Sequence, residues 1–331
     1  MSDLRALVES ELAHPVLPQV TDMAAAIAAR HGEAARAVLF YGSCLREARL
    51  DGLMLDFYLI VSDYPSAYDK NWLATANRLI PPNVFPFAKD GLAAKYAVLS
   101  EADFRALNRA DADTVSVWAR FAQPSRLVWA RNEAAREAAV DAVVLAAPAL
   151  FDLARPVAPS LDPMAVWQEG FARTYQCELR AEKTTRSGSI VDADPDRYAR
   201  FGAAIPLTTT MTRPAAERIW RRLRRNGKRA SVLRLAKASL TFSGGIDYLA
   251  WKINRHAGTQ IVIKPWQRRH PLIAALFLVP KLLRQGAVRY RRSSKNDGPT
   301  GIVAGPSRRG RPLNDRKGKR LGSPLLHIGG M

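Results

Sequence analysis

The apolar residues of this chain fall into two spacings. Between residues 4 and 31 they recur at helical intervals and stop at His31-Gly32, which predicts a helical hairpin. The run Ala37-Val-Leu-Phe-Tyr41 is continuous instead, and it predicts a buried strand broken by Gly42-Ser43. A second strand is predicted over Leu53-Met-Leu-Asp-Phe-Tyr-Leu-Ile-Val61, closed by Ser62-Asp63 and Pro65. A helix follows from Ser66 to about Arg78, punctuated by Pro81-Pro82. Lys95 to Ser100 predicts a further strand, with Ser100 as N-cap of a helix beginning at Glu101 and Asp103 at the acidic position of a capping box. Residues 113–147 are Ala-rich and helical in pattern, interrupted at Gln123-Pro124. Arg155 to Pro163 is a candidate linker, Met164 to Lys183 a helix, and Ser187-Gly188 with Asp192 to Asp196 a loop. A basic helical stretch runs from Arg213 to the mid 250s, interrupted at Gly244-Gly245, and from Asn296 onward the composition predicts a disordered tail.

The pattern predicts an α/β fold, a mixed sheet with helices, followed by a mainly helical region and a basic C-terminal segment. The implied division is residues 1–130, a helical 131–212, a basic helical 213–295 and a tail at 296–331. With 48% apolar residues the chain is not disordered throughout. Two cysteines, Cys44 and Cys177, make no disulfide framework or zinc spacing, so the protein reads as intracellular and reduced. The first twelve residues hold Asp3, Glu9 and Glu11, against a signal peptide, and no stretch nears the roughly 20 apolar residues of a membrane span.

Charge divides the chain. Arg213 to the end holds 28 basic and 4 acidic residues, whereas the first 212 residues hold 22 and 26. A mildly acidic body therefore carries a basic C-terminal third, suited to a polyanion: nucleic acid or the anionic face of a membrane.

One constellation suggests chemistry. A strand, a Gly-Ser turn, a connection of about a dozen residues and a strand bearing an acid form the arrangement used for nucleotidyl transfer. Gly42 lets backbone approach a phosphate, and Ser43 offers a hydroxyl donor. Asp56 would hold Mg²⁺, which favours oxygen ligands and takes one or two from protein. The usual second carboxylate two residues away is missing, since Met54 and Tyr58 flank Asp56 at that spacing.

A longer stretch resembles a known family. Tyr41-Gly-Ser-Cys44 and Met54-Leu-Asp-Phe-Tyr-Leu-Ile-Val61 are similar to the mitochondrial translocator assembly and maintenance protein family, peripheral-membrane CDP-diacylglycerol synthases. Ser62-Asp63-Tyr64-Pro65, Ala67-Tyr-Asp-Lys-Asn71, Asn77, Lys95-Tyr-Ala-Val-Leu-Ser100 and Val117-Trp-Ala-Arg-Phe-Ala-Gln-Pro124 extend the resemblance. Tyr175-Gln-Cys-Glu-Leu-Arg180 and the segment from Leu235-Ala-Lys237 to Thr241 resemble later elements more weakly. The chain departs from the family at Tyr68-Asp69, at Leu79-Ile-Pro-Pro82 and at Cys177-Glu178.

The resemblance implies a nucleotidyltransferase-like domain followed by a winged-helix-like region. It implies a Mg²⁺-dependent phosphatidate cytidylyltransferase that converts CTP and phosphatidate to CDP-diacylglycerol and pyrophosphate. Asp56 and Lys95 would be catalytic, with Asp56 and Glu178 on the metal and Gly42, Ser43 and Arg180 on nucleotide phosphates. A phosphate acceptor is already anionic near neutral pH, so it needs positioning more than a base.

Farther on, the apolar run Leu272 to Val279 is too short to cross a bilayer. Trp266, Arg268, Arg269, Phe277, Lys281 and Arg284 suit an anchor on the cytoplasmic side of a membrane, with a core helix as the competing reading. Arg218 to Arg229, with Trp220, would suit RNA, although no RNA-binding module is visible. The alternatives for the whole protein are nucleotidyl transfer to RNA, a protein or a small molecule, and a non-catalytic protein that binds anionic surfaces.

Overall fold

The computed structural model describes residues 2–46, 50, 52–178, 190–206 and 211–241. The predicted membrane-contact residues Trp266, Arg268, Arg269, Phe277, Lys281 and Arg284, the tail from Asn296 and Arg180 lie outside them.

The chain begins with helices α1 (Ser2–Leu12) and α2 (Pro18–Ala29), the predicted hairpin, and enters strand β1 (Ala35–Tyr41). A short 3₁₀ turn, Ser43–Arg46, separates β1 from β2 (Met54–Val61). The single helix expected over 66–78 is two, α3 (Tyr64–Ala67) and α4 (Asn71–Leu79). Asp63 caps the first, accepting from the Ser66 amide at 2.8 Å. Strands β3 (Asn83–Lys89) and β4 (Leu92–Ser100) form a hairpin, and Ser100 caps α5 (Glu101–Leu107) as its sequence suggests. The stretch expected to be helical over 113–147 is interrupted by a strand: α6 (Trp118–Phe121), β5 (Ser125–Ala130), then α7 (Glu133–Val144). Helices α8 (Ala146–Ala154), α9 (Pro163–Cys177), α10 (Pro195–Ala204) and α11 (Arg213–Thr241) complete the described chain. The expected loop over 192–196 instead launches α10, because Asp194 accepts from the Arg197 amide and closes the first turn.

The five strands make one mixed sheet in the order β3-β4-β2-β1-β5, with only β2 and β4 parallel. Alternate residues of the inner strands go to opposite faces, because strand side chains have a period of two. Val38, Phe40, Phe57, Leu59, Tyr96 and Val98 pack with Val20, Met23 and Ile27 of α2 on one face. Ala37, Leu39, Tyr58, Ile60, Ala97 and Leu99 pack on the other with α1, α5, α7 and the helices beyond. That second core is continuous from Leu4 to Leu223, so α8, α9, α10 and α11 share it with the sheet.

Three contacts hold the first half of helix α11 against α8 and α9. Arg173 on α9 reaches Glu217 with two parallel hydrogen bonds of 3.0 and 2.9 Å, and Trp220 donates to the Leu153 carbonyl on α8 at 2.8 Å. At Gly227 the helix backbone lies so close to the end of α9 that a methyl group there would collide with the Cys177 carbonyl. None of the described helices is long and apolar enough to cross a membrane.

Candidate active site

Five residues, one from each strand, stand in a single row across the sheet: Ser125, Tyr41, Asp56, Lys95 and Pro86. The row follows from pairing register, and the alternation of the strands turns its side chains toward the face that carries α11. At its centre Asp56 and Lys95 are direct partners on the parallel pair, and Lys95 Nζ lies 3.0 Å from Asp56 Oδ1. That oxygen is buried yet accepts no aligned hydrogen bond, so the contact is one of charge, with lone-pair capacity left over.

Gly42 follows Tyr41 with φ of +97°, a region that L side chains rarely enter, and the point where its Cβ would stand is 3.3 Å from Asp56 Oδ2. The turn therefore brings bare backbone alongside the carboxylate. Ser43 is exposed at the start of the 3₁₀ turn, and Cys44 beside it is buried, its thiol 3.5 Å from the Met54 carbonyl.

A cleft of about 340 Å³ opens on this row, lined by Tyr41, Gly42, Asp56 and Lys95 and by Tyr58, Ser116, Arg120, Arg234 and Lys237. Sequence reasoning assigned the first group, except Tyr41, and missed the second. Arg120, from α6, donates to the Ser116 carbonyl and lies 3.4 Å from Glu178. Burial opposes its charge, but Glu178, Tyr58, Tyr41 and Asp56 outweigh burial and hold the guanidinium protonated. Glu178 is thus engaged by Arg120 and is not among the residues lining the cleft.

Arg234 donates to the Pro81 carbonyl at 2.7 Å and to Ser116 Oγ at 2.6 Å. Lys237 donates to the carbonyls of Ile80 and Pro82, the latter at 2.9 Å. Burial and then the neighbouring Arg234 push the Lys237 ammonium down to about 7. Burial also raises the phenols of Tyr41 and Tyr58, so both stay neutral. The site combines one carboxylate with four cationic side chains, a balance suited to a ligand of several negative charges.

The donor set fits a magnesium ion in one way only. Among the described residues no group of three or more His, Cys, Asp or Glu side chains could cage a metal. Asp56, with its unfilled buried oxygen, can give one ligand to an ion held mainly by substrate phosphates. No family model and no curated protein matches the chain.

Proposed function

We propose that the protein is a Mg²⁺-dependent nucleotidyltransferase, and specifically a phosphatidate cytidylyltransferase making CDP-diacylglycerol. The observation that carries the reading is the strand row: backbone-open Gly42, Asp56 and Lys95 converge at one end of a cationic cleft. In this reading the mixed sheet is a nucleotidyltransferase-like domain and the helices after it are its winged-helix-like companion.

The residues then have separate tasks. Gly42 lets the turn approach the triphosphate, and Ser43, exposed beside it, donates to a phosphate oxygen. Asp56 holds Mg²⁺, which when bound neutralises triphosphate charge. Lys95 sets a cation against the developing charge on the leaving pyrophosphate, an electrostatic role that needs no proton transfer. A phosphate oxygen of the acceptor attacks the α-phosphorus, and the bond from that phosphorus to the β-phosphate oxygen breaks. The products are a new P–O–P anhydride and pyrophosphate.

Membrane contact fits the same reading. Arg218, Arg222, Arg225 and Arg229 recur along one exposed stripe of α11, spaced to meet an anionic surface. CTP labelled at the α-phosphate, incubated with Mg²⁺ and phosphatidate vesicles, should carry label into lipid, and Asp56→Ala should abolish it. Absence of label with folded, vesicle-bound protein would sink the lipid acceptor and direct attention to RNA and small-molecule acceptors.

A further inference from the structure

Helix α11 changes character along one face. Its inward positions Ala216, Trp220, Leu223 and Gly227 are buried and apolar. The same face continues at helical spacing to Arg234 and Lys237, which line the cleft. Placing two cations where the helix elsewhere buries apolar groups is unfavourable unless something compensates them. Among the described residues the compensation is partial. The carbonyls of Ile80, Pro81 and Pro82 and the Ser116 hydroxyl orient both side chains but are neutral. Among the described residues neither cation has a carboxylate within ion-pair distance, and Glu178, paired with Arg120, acts on Arg234 from farther away.

We infer that Arg234 and Lys237 form the subsite for the acceptor, and that the acceptor is a phosphomonoester. This assignment rests on the nucleotidyl-transfer reading of the cleft. With Lys237 in its ammonium form, the two cations match the charge of about −1.5 to −2 on such a group at neutral pH. Nη2 of Arg234 makes no hydrogen bond to the described residues, and two of the three ammonium donors of Lys237 are used by carbonyls. Both side chains therefore retain donors for phosphate oxygens.

The subsite lies beyond the nucleotide row. Burial dominates the lowering at Arg234, and Tyr58, Arg120 and Glu178 are the groups near enough to act on it. Tyr58 sits two residues past Asp56 on the same face of β2, about 7 Å along the strand. Arg120 pairs with Glu178 and lines the same cleft. An alcohol acceptor would bring no charge to either cation. The subsite therefore selects phosphate over hydroxyl, and its occupant already carries the anionic oxygen that attacks.

Equilibrium binding without nucleotide tests this on the full chain. The probes are glycerol 3-phosphate in solution and phosphatidylcholine vesicles doped with phosphatidate or, as an anionic diester control, phosphatidylglycerol. The proteins are wild type, Arg234→Lys, Lys237→Gln and, as an exposed control on the same helix outside the membrane-facing stripe, Arg213→Gln, each checked by thermal unfolding. Arg234→Lys keeps the charge and guards against loss of fold. The expected result is binding of a phosphomonoester that weakens about tenfold in Arg234→Lys and Lys237→Gln, with CTP affinity changed less than twofold. Arg213→Gln should bind both probes as wild type does.

Binding of both probes assigns the soluble phosphate as sufficient, and binding only of phosphatidate vesicles assigns the lipid headgroup. Equal binding to phosphatidate and phosphatidylglycerol vesicles with none to glycerol 3-phosphate would overturn the subsite. So would unchanged phosphomonoester affinity in both folded variants, or a loss of CTP affinity in its place. Sensitive phosphomonoester binding with no transfer from any nucleotide would instead overturn the reaction and leave the subsite standing.

Discussion

A side chain at Gly42 would stand 3.3 Å from the Asp56 carboxylate, so the turn after β1 and the acid on β2 share a space that only glycine leaves open. Gly42→Ala combines a left-handed backbone with crowding of a carboxylate oxygen. It should destabilise the protein by about 1–3 kcal/mol, read from urea unfolding. It should also raise KM for the nucleotide more than it lowers the affinity for a phosphomonoester.

Asp56→Asn separates chemistry from stability. The ion pair with Lys95 is part-exposed, with side chains 23% and 39% accessible, so its loss should shift stability by only about 0–1 kcal/mol. Turnover should fall by about 10²–10³ or more, as when a transition-state electrostatic contact is removed. An equal Mg²⁺ dependence in Asp56→Asn and wild type would count against the carboxylate as a metal ligand.

The lowered Lys237 ammonium makes stability depend on pH in a defined direction. Its folded pKa of about 7 lies below the roughly 10.4 of an unfolded lysine. Between those values the unfolded chain holds the extra proton, so stability rises with pH across that window. Below about 7 both states are protonated and this contribution is flat. Lys237→Met should remove the rise, measured as unfolding free energy from pH 7 to 10. Phosphate binding beside Lys237 should take up a proton near pH 8, detectable by calorimetry in buffers of different ionisation heat.

Glu11 and Arg197 form a buried pair joining α1 to α10, with Nη2 donating to Oε1 at 3.0 Å and Nη1 to the Ala122 carbonyl. Glu11→Ala leaves the guanidinium buried and unpaired, and should cost about 3–5 kcal/mol. Neither Glu11 nor Arg197 lines the cleft, so turnover per folded molecule should hold.

The sequence made the inner sheet legible and its margins obscure. β1, β2 and β4 are covered on both faces, so each contains a continuous apolar run: Ala37 to Tyr41, Phe57 to Val61 and Tyr96 to Leu99. The two strands missed, β3 and β5, are the two edges. β3 contains Pro86, which an edge tolerates but which argues against a strand when read alone. β5 is a half-buried Ser-Arg-Leu-Val-Trp-Ala between helices, without strict alternation. For the cleft, the Gly-Ser turn and Asp56 are local signals and could be read. Arg234 goes unnoticed among 28 basic residues of the C-terminal third, and Lys237 is marked only by a weak resemblance with no role, because the helix phase that turns both inward is set by Trp220 and Gly227 against α8 and α9. Position 58, where a second acid would be sought, holds a tyrosine near Arg120 and Arg234.

The clamp between α11 and the Ile80–Pro82 carbonyls also sets when the cleft exists. Its hydrogen bonds join positions 155 residues apart in sequence at Pro82 and Lys237, among the most distant contacts of the chain. β1, β2 and β4 can pair from the first 100 residues alone, whereas the cationic wall must wait for the chain to be made past Lys237. Contacts of such separation close late, after nearer ones have reduced the entropy of the loop between them. A nascent chain therefore carries its carboxylate and glycine turn well before it carries the wall that completes the cleft.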